Sequence, residues 1–460
     1  MALDTLPKEE TAKSDPGAPT PAPAKPTGTM AVIGKLKFNR FLRILGPGLI
    51  TGAADDDPSG IATYSQTGAQ FGYAQLWTAV YLLPLLIAIQ EACGRIGAVT
   101  GKGLAGVVKD NYSKKVLIGT VFLVVLANTI NLGADIGAMA ASSRLVVNIP
   151  FPVLAIGFSI LILGLEIFIS YKAYARILKF LALTLLAYPL TALIIAEPWG
   201  QILKATFIPQ FQFNFAFLFI ITGVVGTTIS PYMFFWQASG EVEEEIDAKM
   251  LAQRGGIPRL TKKFLSDLKI DTIVGMLSSE LAQWFIIITT GTVLFSHGIT
   301  NINSAADAAR ALEPLVKSFP DSGQVARDLF AVGVVGLGLL AVPVLAGSAS
   351  YALSEAMGWK EGLYRKFSKA RNFYLVIVVA TVVGLGINFV GIDPIKALIF
   401  TAVFNGVAAV PLVFLIAKIN SNSKIMGEHT GGKLSRTFVW ITFGGMLLSA
   451  FAMFFTFFHQ

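Results

Sequence analysis

Long apolar blocks dominate this sequence and limit the folds that it can adopt. Eleven blocks approach the roughly 20 residues that a helix needs to cross the hydrocarbon core of a bilayer. Of the 460 residues, 54% are hydrophobic and 14% are charged, whereas soluble domains carry about 25% charged residues. The pattern predicts an all-α polytopic membrane protein that contacts the lipid bilayer. The predicted spans lie at about 44–68, 74–97, 116–142, 152–170, 177–196, 213–238, 270–296, 328–356, 372–391, 395–418 and 437–458.

The first 33 residues differ from the rest in composition. They contain the low-complexity run PGAPTPAPAKPTG and lack the apolar segment of a signal peptide. We therefore expect residues 1–33 to form a disordered cytoplasmic tail before a transmembrane domain at 34–460.

Basic residues between the spans are distributed unevenly over the two sides of the predicted bundle. The loops on the side of the N-terminus hold 27 of the 36 Lys and Arg residues, and the opposite loops hold six. Because cytoplasmic loops are enriched in Lys and Arg, this asymmetry predicts a cytoplasmic N-terminus. With eleven spans in the cell membrane, the C-terminus is expected outside the cell.

Several classes of protein are disfavoured by the composition. The net charge of +8 could suggest nucleic acid, but basic cytoplasmic loops produce the same value, so no nucleic-acid partner is predicted. The single Cys93 and the scattered His297, His429 and His459 exclude a disulfide framework and a cysteine or histidine metal cluster. No catalytic or cofactor motif indicates an enzyme, and no obligatory protein partner is evident.

Two of the apolar spans are interrupted at matching points. The first contains DDDPSG at 55–60, and the sixth contains GTTISPY at 226–232. Paired discontinuous helices are typical of inverted-repeat transporters, whose substrate site lies between the two breaks. We expect five spans in repeat one (about 44–196), five in repeat two (about 213–418), and an extra helix at about 437–458.

Asp57 is the strongest candidate for a functional residue at the first break. A carboxylate in the middle of a membrane costs roughly 2.5–3.5 kcal/mol unless a cation or a polar cavity compensates it. Asp57 could bind a cation, or it could cap the half-helix that begins at Pro58. For Asp55 and Asp56 a cation site and an interfacial position are equally open.

The second break carries only oxygen donors, namely the hydroxyl groups of Thr227, Thr228, Ser230 and Tyr232. Oxygen ligands suit hard divalent cations such as Mg²⁺, Ca²⁺ and Mn²⁺. The alternative is that the threonine and serine hydroxyls only satisfy the backbone at the helix ends.

Other polar residues in apolar surroundings have either a functional or a structural interpretation. Asn405, beside Gly406 in the tenth span, could reach the site or could relax a helix. Glu91 and Glu280 could bind a proton or an ion, or could be hydrogen-bonded core acids. The acidic run at 241–247 could attract cations, but a solvated helix face is the preferred interpretation.

The sequence resembles the Nramp (natural resistance-associated macrophage protein) transporters of divalent metals across all eleven spans. The resemblance is clearest in GPGLITGAADDDPSG, AQFGYAQLW, RIGAVTGKGL and GTTISP. It implies a LeuT-type inverted repeat of five plus five helices with an eleventh helix, and a metal that is the transported substrate rather than a cofactor.

The two break motifs depart from those of the family. Where the family has Asp-Pro-Gly-Asn, this chain has Asp-Pro-Ser-Gly, so the resemblance gives Asp57 the ligand role and leaves Gly60 in place of the ligating Asn. Where the family has Ala-Thr-Ile-Met-Pro-His, Ser230 replaces the thioether ligand and Tyr232 replaces the histidine. The loss of sulfur removes a preference for Mn²⁺ and Fe²⁺, and the sequence is most like the Nramp-related magnesium transporters.

The acid pair that implies proton coupling in the family is also absent. Its positions in the third span hold Asn131 and Ala134, and Asp135 is expected to face elsewhere, about 100° around the helix. The prediction is Mg²⁺ transport, with Mn²⁺ also carried, by alternating access without proton coupling. The alternatives are a proton-coupled Mn²⁺/Fe²⁺ symporter and a non-transporting membrane sensor.

Overall fold

The computed structural model describes residues 45–169, 186–194 and 198–459, and within these ranges it consists of helices and their connections. The predicted tail at 1–33 and most of the predicted span at 177–196 lie outside the described residues. The principal helices are α1 (Pro47–Asp55), α2 (Pro58–Phe71), α3 (Trp77–Thr100), α4 (Leu104–Asn111), α5 (Lys114–Ser143), α6 (Phe151–Phe168), α7 (Ala187–Ile194), α8 (Trp199–Phe207), α9 (Phe215–Thr228), α10 (Pro231–Asp247), α11 (Lys262–Val293), α12 (Ala305–Ala309), α13 (Ser322–Met357), α14 (Arg371–Ile387), α15 (Pro394–Asn420), α16 (Ser423–Met426) and α17 (Lys433–Phe458).

The long helices agree with the predicted spans. Eight helical segments of the described chain are long and apolar enough to cross a membrane. The apolar α14 is shorter, with 17 residues, and α1 with α2 corresponds to the first predicted span. The all-α polytopic architecture is therefore confirmed.

The first span is broken because the backbone leaves helical geometry at Asp56 and Asp57. Asp56 ends α1 with φ −85° and ψ 41°. Asp57 is extended, with φ −61° and ψ 173°, and Pro58 begins α2. A proline disfavours helical geometry in the residue before it and fits the first position of a helix, so the Asp-Pro pair accounts for both the break and the restart.

The second break has the same construction. Ile229 ends α9 with φ −116° and ψ 68°, Ser230 is extended with φ −90° and ψ 144°, and Pro231 begins α10. The prediction of two discontinuous helices at equivalent positions is thus confirmed. The backbone groups released at both breaks are buried inside the bundle.

Glycines allow the broken helices to approach their neighbours at backbone distance. α1 packs on α11, where Gly48 and Gly52 lie directly against the backbone of α11 around Gly275. α9 packs on α15, where Gly226 and Gly406 lie back to back. A methyl group at any of these glycines would overlap main-chain atoms of the neighbouring helix.

A carboxylate from α11 caps the first half of the first span. Asp271 is 2% exposed. Its Oδ1 accepts hydrogen bonds from the amides of Gly46 (2.9 Å) and Leu49 (3.1 Å), and its Oδ2 accepts one from Gly48 (2.6 Å). An anion at a helix N-terminus is stabilised by these otherwise unpaired amides and by the helix dipole. Asp271 therefore fixes the start of α1 to α11.

Replacing Asp271 by alanine should destabilise the protein by about 2 kcal/mol, because three buried amides lose a charged acceptor. The measurement is the melting temperature of the purified protein in detergent. Asp267→Ala, one turn earlier on the same helix, serves as the matched control and should leave the melting temperature unchanged. Equal shifts for the two variants would contradict a capping role for Asp271.

The acidic run at 241–247 does not form the solvated face that we expected. It continues α10, and Glu241, Glu243 and Glu245 are buried at 2%, 6% and 0% exposure. The burial of Glu243 is explained by an ion pair with Arg254 in the following loop. The expectation was wrong because a partner that folds back from outside the helix cannot be read from the run itself.

Candidate cation site

Asp57 is the N-cap of α2 and is completely buried. Its Oδ1 accepts hydrogen bonds from the amide of Gly60 (2.7 Å) and the hydroxyl of Ser59 (2.5 Å). Its Oδ2 accepts one from the side-chain amide of Asn131 on α5 (2.9 Å). The capping alternative is therefore observed. Since a carboxylate offers about four lone-pair positions, three donors do not exhaust its capacity to bind a cation.

The hydroxyl groups of Tyr232 and Ser230 form hydrogen bonds at the second break. One connects the second break to the first, and the other lies within the second break. The Tyr232 hydroxyl donates to the carbonyl of Ala54, in the last turn of α1 (2.7 Å). The Ser230 hydroxyl donates to the carbonyls of Gly226 and Thr227 (2.7 Å each). Both side chains thus satisfy carbonyl groups that the helix breaks release.

Thr227 and Gly60 meet where the two breaks face each other. The hydroxyl oxygens of Thr227 and Ser59 are 3.3 Å apart. A Cβ atom on Gly60 would lie 3.4 Å from the Thr227 hydroxyl and 3.0 Å from the carbonyl oxygen of Asp55. A side chain at position 60 would therefore press on both breaks, and glycine allows them to lie close together.

Thr228 and Asn405 are placed differently from the other predicted site residues. The Thr228 hydroxyl is 3.0 Å from the Tyr64 hydroxyl and 3.0 Å from Oε1 of Gln283 on α11, so it bridges α9 to α2 and α11. Asn405 is 1% exposed beside the contact of Gly406 with Gly226. Its Nδ2 has no hydrogen-bond partner among the described residues.

Asp135 lies near Asp57, which corrects the expectation that it faces elsewhere. It is fully buried and within electrostatic reach of both the Asp57 carboxylate and the Ser59 amide. Neither carboxylate oxygen has a hydrogen-bond partner of good geometry in the described part of the chain. The helical step from Ala134 gave the wrong direction because the position of the first break beside α5 cannot be read from spacing within α5.

A second acidic group adjoins the first break. Asp55 and Asp56 are fully buried, and Glu280 on α11 is 3% exposed. Ser279 donates a hydrogen bond to Asp55, and Asp56 lies within electrostatic reach of Asp55, Asp57 and Glu280. The interfacial position considered for the two aspartates is therefore not observed. These acids lie within electrostatic reach of one another beside the first break.

Glu91 is a partnered acid remote from this group. Its Oε2 is 3.1 Å from the guanidinium of Arg95, one turn along α3. Arg95 also donates to Asn420 (2.8 Å) and to the hydroxyl of Ser435 (3.1 Å). The ion pair therefore joins α3 to the ends of α15 and α17.

The site is built mainly from single carboxylates and neutral oxygens. Within the described ranges, no three side chains of His, Cys, Asp or Glu form a cluster that could hold a metal ion. A cation beside Asp57 would depend on one acid, hydroxyl and carbonyl oxygens, and water. This donor set suits an ion that keeps part of its hydration shell, as Mg²⁺ usually does.

Three contributors to the site were not predicted from the sequence. Ser59 hydrogen-bonds to Asp57, Asn131 donates to the same carboxylate, and the carbonyl of Ala54 receives Tyr232. The position of Ser59, two residues after an N-cap aspartate, was an available signal. The contacts of Asn131 and Ala54 depend on tertiary packing.

Comparison with known proteins places the chain in a sequence family. The family model described as natural resistance-associated macrophage protein-like matches residues 48–456. The divalent metal cation transporter MntH of Caldanaerobacter subterraneus is 24% identical over 430 residues, which cover 91% of this chain and 92% of the relative. MntH of Bacillus subtilis is 25% identical over 424 residues, covering 89% and 92%.

Solved structures show the same fold. A crystal structure of the Eremococcus coleocola manganese transporter superposes with a TM-score of 0.68 at 17% identity, covering 90% of this chain and 86% of that one. The nucleobase-cation-symport-1 family transporter Mhp1 superposes with a TM-score of 0.56 at 14% identity, covering 90% and 92%. The predicted LeuT-type fold is confirmed, and the chain belongs to the Nramp (natural resistance-associated macrophage protein-like) family.

Proposed function

We propose that this protein transports divalent cations across the membrane through the site between its two helix breaks. The observation that carries the proposal is Asp57, a buried carboxylate at the first break whose hydrogen-bond donor Ser59 lies 3.3 Å from the Thr227 hydroxyl of the second. The relatives named divalent metal cation transporters support the same substrate class. Asp57, Gly60, Thr227, Ser230 and Tyr232 form the proposed site. Thr228 and Asn405 border it.

The proposed substrate is Mg²⁺, with Mn²⁺ also carried. The positions next to the proposed cation carry Gly60, which supplies no side-chain amide oxygen, and Ser230, which supplies no sulfur. Without a soft ligand the site does not favour Mn²⁺ or Fe²⁺ over the harder Mg²⁺. Glycine and serine are smaller than the asparagine and methionine of the family, which favours an ion that keeps part of its water shell.

The proposed orientation and driving force follow from charge. The loop asymmetry favours a cytoplasmic N-terminus. Moving two positive charges inward across 100 mV releases about 4.6 kcal/mol, which supports uptake by alternating access without a coupled proton. The proposed domain plan remains a tail at 1–33, two five-helix repeats and the extra helix that includes α17.

Proton-coupled transport of Mn²⁺ or Fe²⁺ is the second candidate. The observation that favours it is Asp135, a buried acid within electrostatic reach of Asp57 and of the Ser59 amide. Asn131, which occupies the first position of the acid pair of the family, instead donates to Asp57. The two candidates differ in the substrate that they prefer and in proton movement.

The double variant Gly60→Asn, Ser230→Met tests the origin of the selectivity. It adds an amide and a thioether to the site, so we expect the inhibition of Mn²⁺ uptake by Mg²⁺ to weaken at least about tenfold (about 1.4 kcal/mol). The measurement is Mn²⁺ uptake into proteoliposomes at increasing Mg²⁺ concentration. Gly200→Asn, at a glycine with open space around it, is the control. Unchanged competition in an active double variant would show that these positions do not set selectivity.

A further inference from the structure

A basic cavity of about 350 Å³ lies away from the transport site, at the end of the bundle that carries the basic loops. It is lined by α4 and by the loops that follow α10 and α13. The basic side chains in its wall are Lys102, Lys109, Arg254, Lys360 and Arg365, and the acidic ones are Asp110, Glu355 and Glu361. The wall therefore carries more positive than negative charge.

The acids of this wall already have basic partners. Lys102 is 2.5 Å from Asp110, and Arg254 is 3.0 Å from Glu355 and 3.6 Å from Glu361. The wall holds five cations and three acids, so an excess of two positive charges remains.

Lys109, Lys360 and Arg365 carry this remaining charge. None has a carboxylate within ion-pair distance in the described parts of the chain. Lys109 donates one hydrogen bond to the carbonyl of Glu355 (3.3 Å), and Arg365 uses its Nε for the carbonyl of Glu361 (3.0 Å). The other N–H groups of both side chains stay available to an anion.

Two apolar grooves run from this cavity along the outer surface of the bundle. One of about 640 Å³ shares Lys109 with the cavity, and one of about 570 Å³ shares Trp359 with it. The grooves share Phe122, Val125 and Leu353, so they run side by side between α5, α13 and α14. Phe122 is 62% exposed, as a side chain that faces lipid would be.

We propose that the cavity and its two grooves bind one anionic phospholipid. The phosphate group contacts Lys109, Lys360 and Arg365, and one acyl chain occupies each groove. Basic pockets between transmembrane helices on the cytoplasmic side are a recognised setting for acidic headgroups. A larger groove of about 860 Å³ near Phe215, Phe400 and Met453 has no charged residue in its wall. Charge at the cavity, rather than apolar surface alone, therefore selects the lipid.

The charge requirement is tested on the full-length protein in nanodiscs that contain phosphatidylcholine with a tracer of fluorescent phosphatidylglycerol. Wild-type protein should bind the anionic tracer in preference to a matched phosphatidylcholine tracer. Lys109→Gln, Lys360→Gln should weaken this binding about 30-fold, because each basic residue contributes about 1 kcal/mol. The control Lys424→Gln, Lys433→Gln removes two exposed lysines outside the cavity and should bind like wild type. Equal losses in the two double variants would overturn the site.

A second variant tests the grooves without changing charge. Val379→Trp fills the groove between α5 and α14, at a valine that is 51% exposed. It should weaken tracer binding at least about tenfold, and soluble glycerol phosphate should fail to displace the tracer from wild type. Displacement by glycerol phosphate, or full binding to Val379→Trp, would show that the cavity binds a phosphate group alone and would refute the two-chain proposal.

Discussion

Replacing Asp57 by alanine should abolish divalent cation uptake. The substitution removes the carboxylate that accepts hydrogen bonds from Ser59, Gly60 and Asn131, and hydroxyl and carbonyl oxygens alone do not compensate the charge of a divalent cation. We expect uptake into proteoliposomes to fall to the level of protein-free vesicles. The loss of the cap alone costs only about 1 kcal/mol, so the variant should still fold.

Two further variants separate the charge of Asp57 from its capping role. Asp57→Asn keeps an oxygen that can accept the Gly60 amide but removes the charge, and it should also be inactive. Asp393 caps α15 in the same Asp-Pro arrangement, where it accepts from the amides of Ile395 and Lys396. Asp393→Ala should therefore retain uptake. An active Asp57→Asn variant would mean that Asp57 only caps α2 and that its charge is not needed for uptake.

Replacing Arg254 by methionine should cause the largest loss of stability. The guanidinium is 9% exposed and lies 3.0–3.6 Å from Glu243, Glu355 and Glu361. It also stacks 4.5 Å above the ring of Tyr351. Removing one member of a buried ionic group leaves unpaired charges and costs about 3–5 kcal/mol. The melting temperature in detergent should fall accordingly.

The environment of Arg254 explains why this cation cannot simply lose its proton. Burial alone lowers the pKa of Arg254, but the carboxylates of Glu361, Glu243 and Glu355 and the ring of Tyr351 raise it above its ordinary value. Arg259→Met, at an exposed arginine in the same loop, is the control and should leave the melting temperature unchanged. A stable Arg254→Met protein would show that the neighbouring acids do not need the cation.

The sequence predicted the parts of the fold that depend on local chemistry. Both breaks follow from a residue that precedes proline, Asp57 in one case and Ser230 in the other, because proline excludes helical geometry just before it. The apolar blocks predicted the long helices because a helix needs about 20 apolar residues to cross the bilayer. Neither inference needs to know which helices are neighbours.

Features that depend on packing between helices could not be predicted in this way. Asp135 approaches Asp57 because α5 passes beside the extended first break, a relation absent from the spacing within α5. Glu243 of α10 pairs with Arg254 only after the loop folds back. The sequence showed that Asn131 stands where the family has an acid. Its hydrogen bond to Asp57 could not be predicted, because it depends on the relative positions of two helices.

The most direct test of the account records Mg²⁺ entry and lumenal pH together in proteoliposomes that contain wild-type protein. With an inside-negative potential, we expect Mg²⁺ to enter, Mn²⁺ to compete with it, and the lumenal pH to stay constant. Asp57→Ala vesicles should show no entry under the same conditions. Uptake of Mn²⁺ that is insensitive to excess Mg²⁺ and is accompanied by lumenal acidification would contradict the account and favour a proton-coupled symporter.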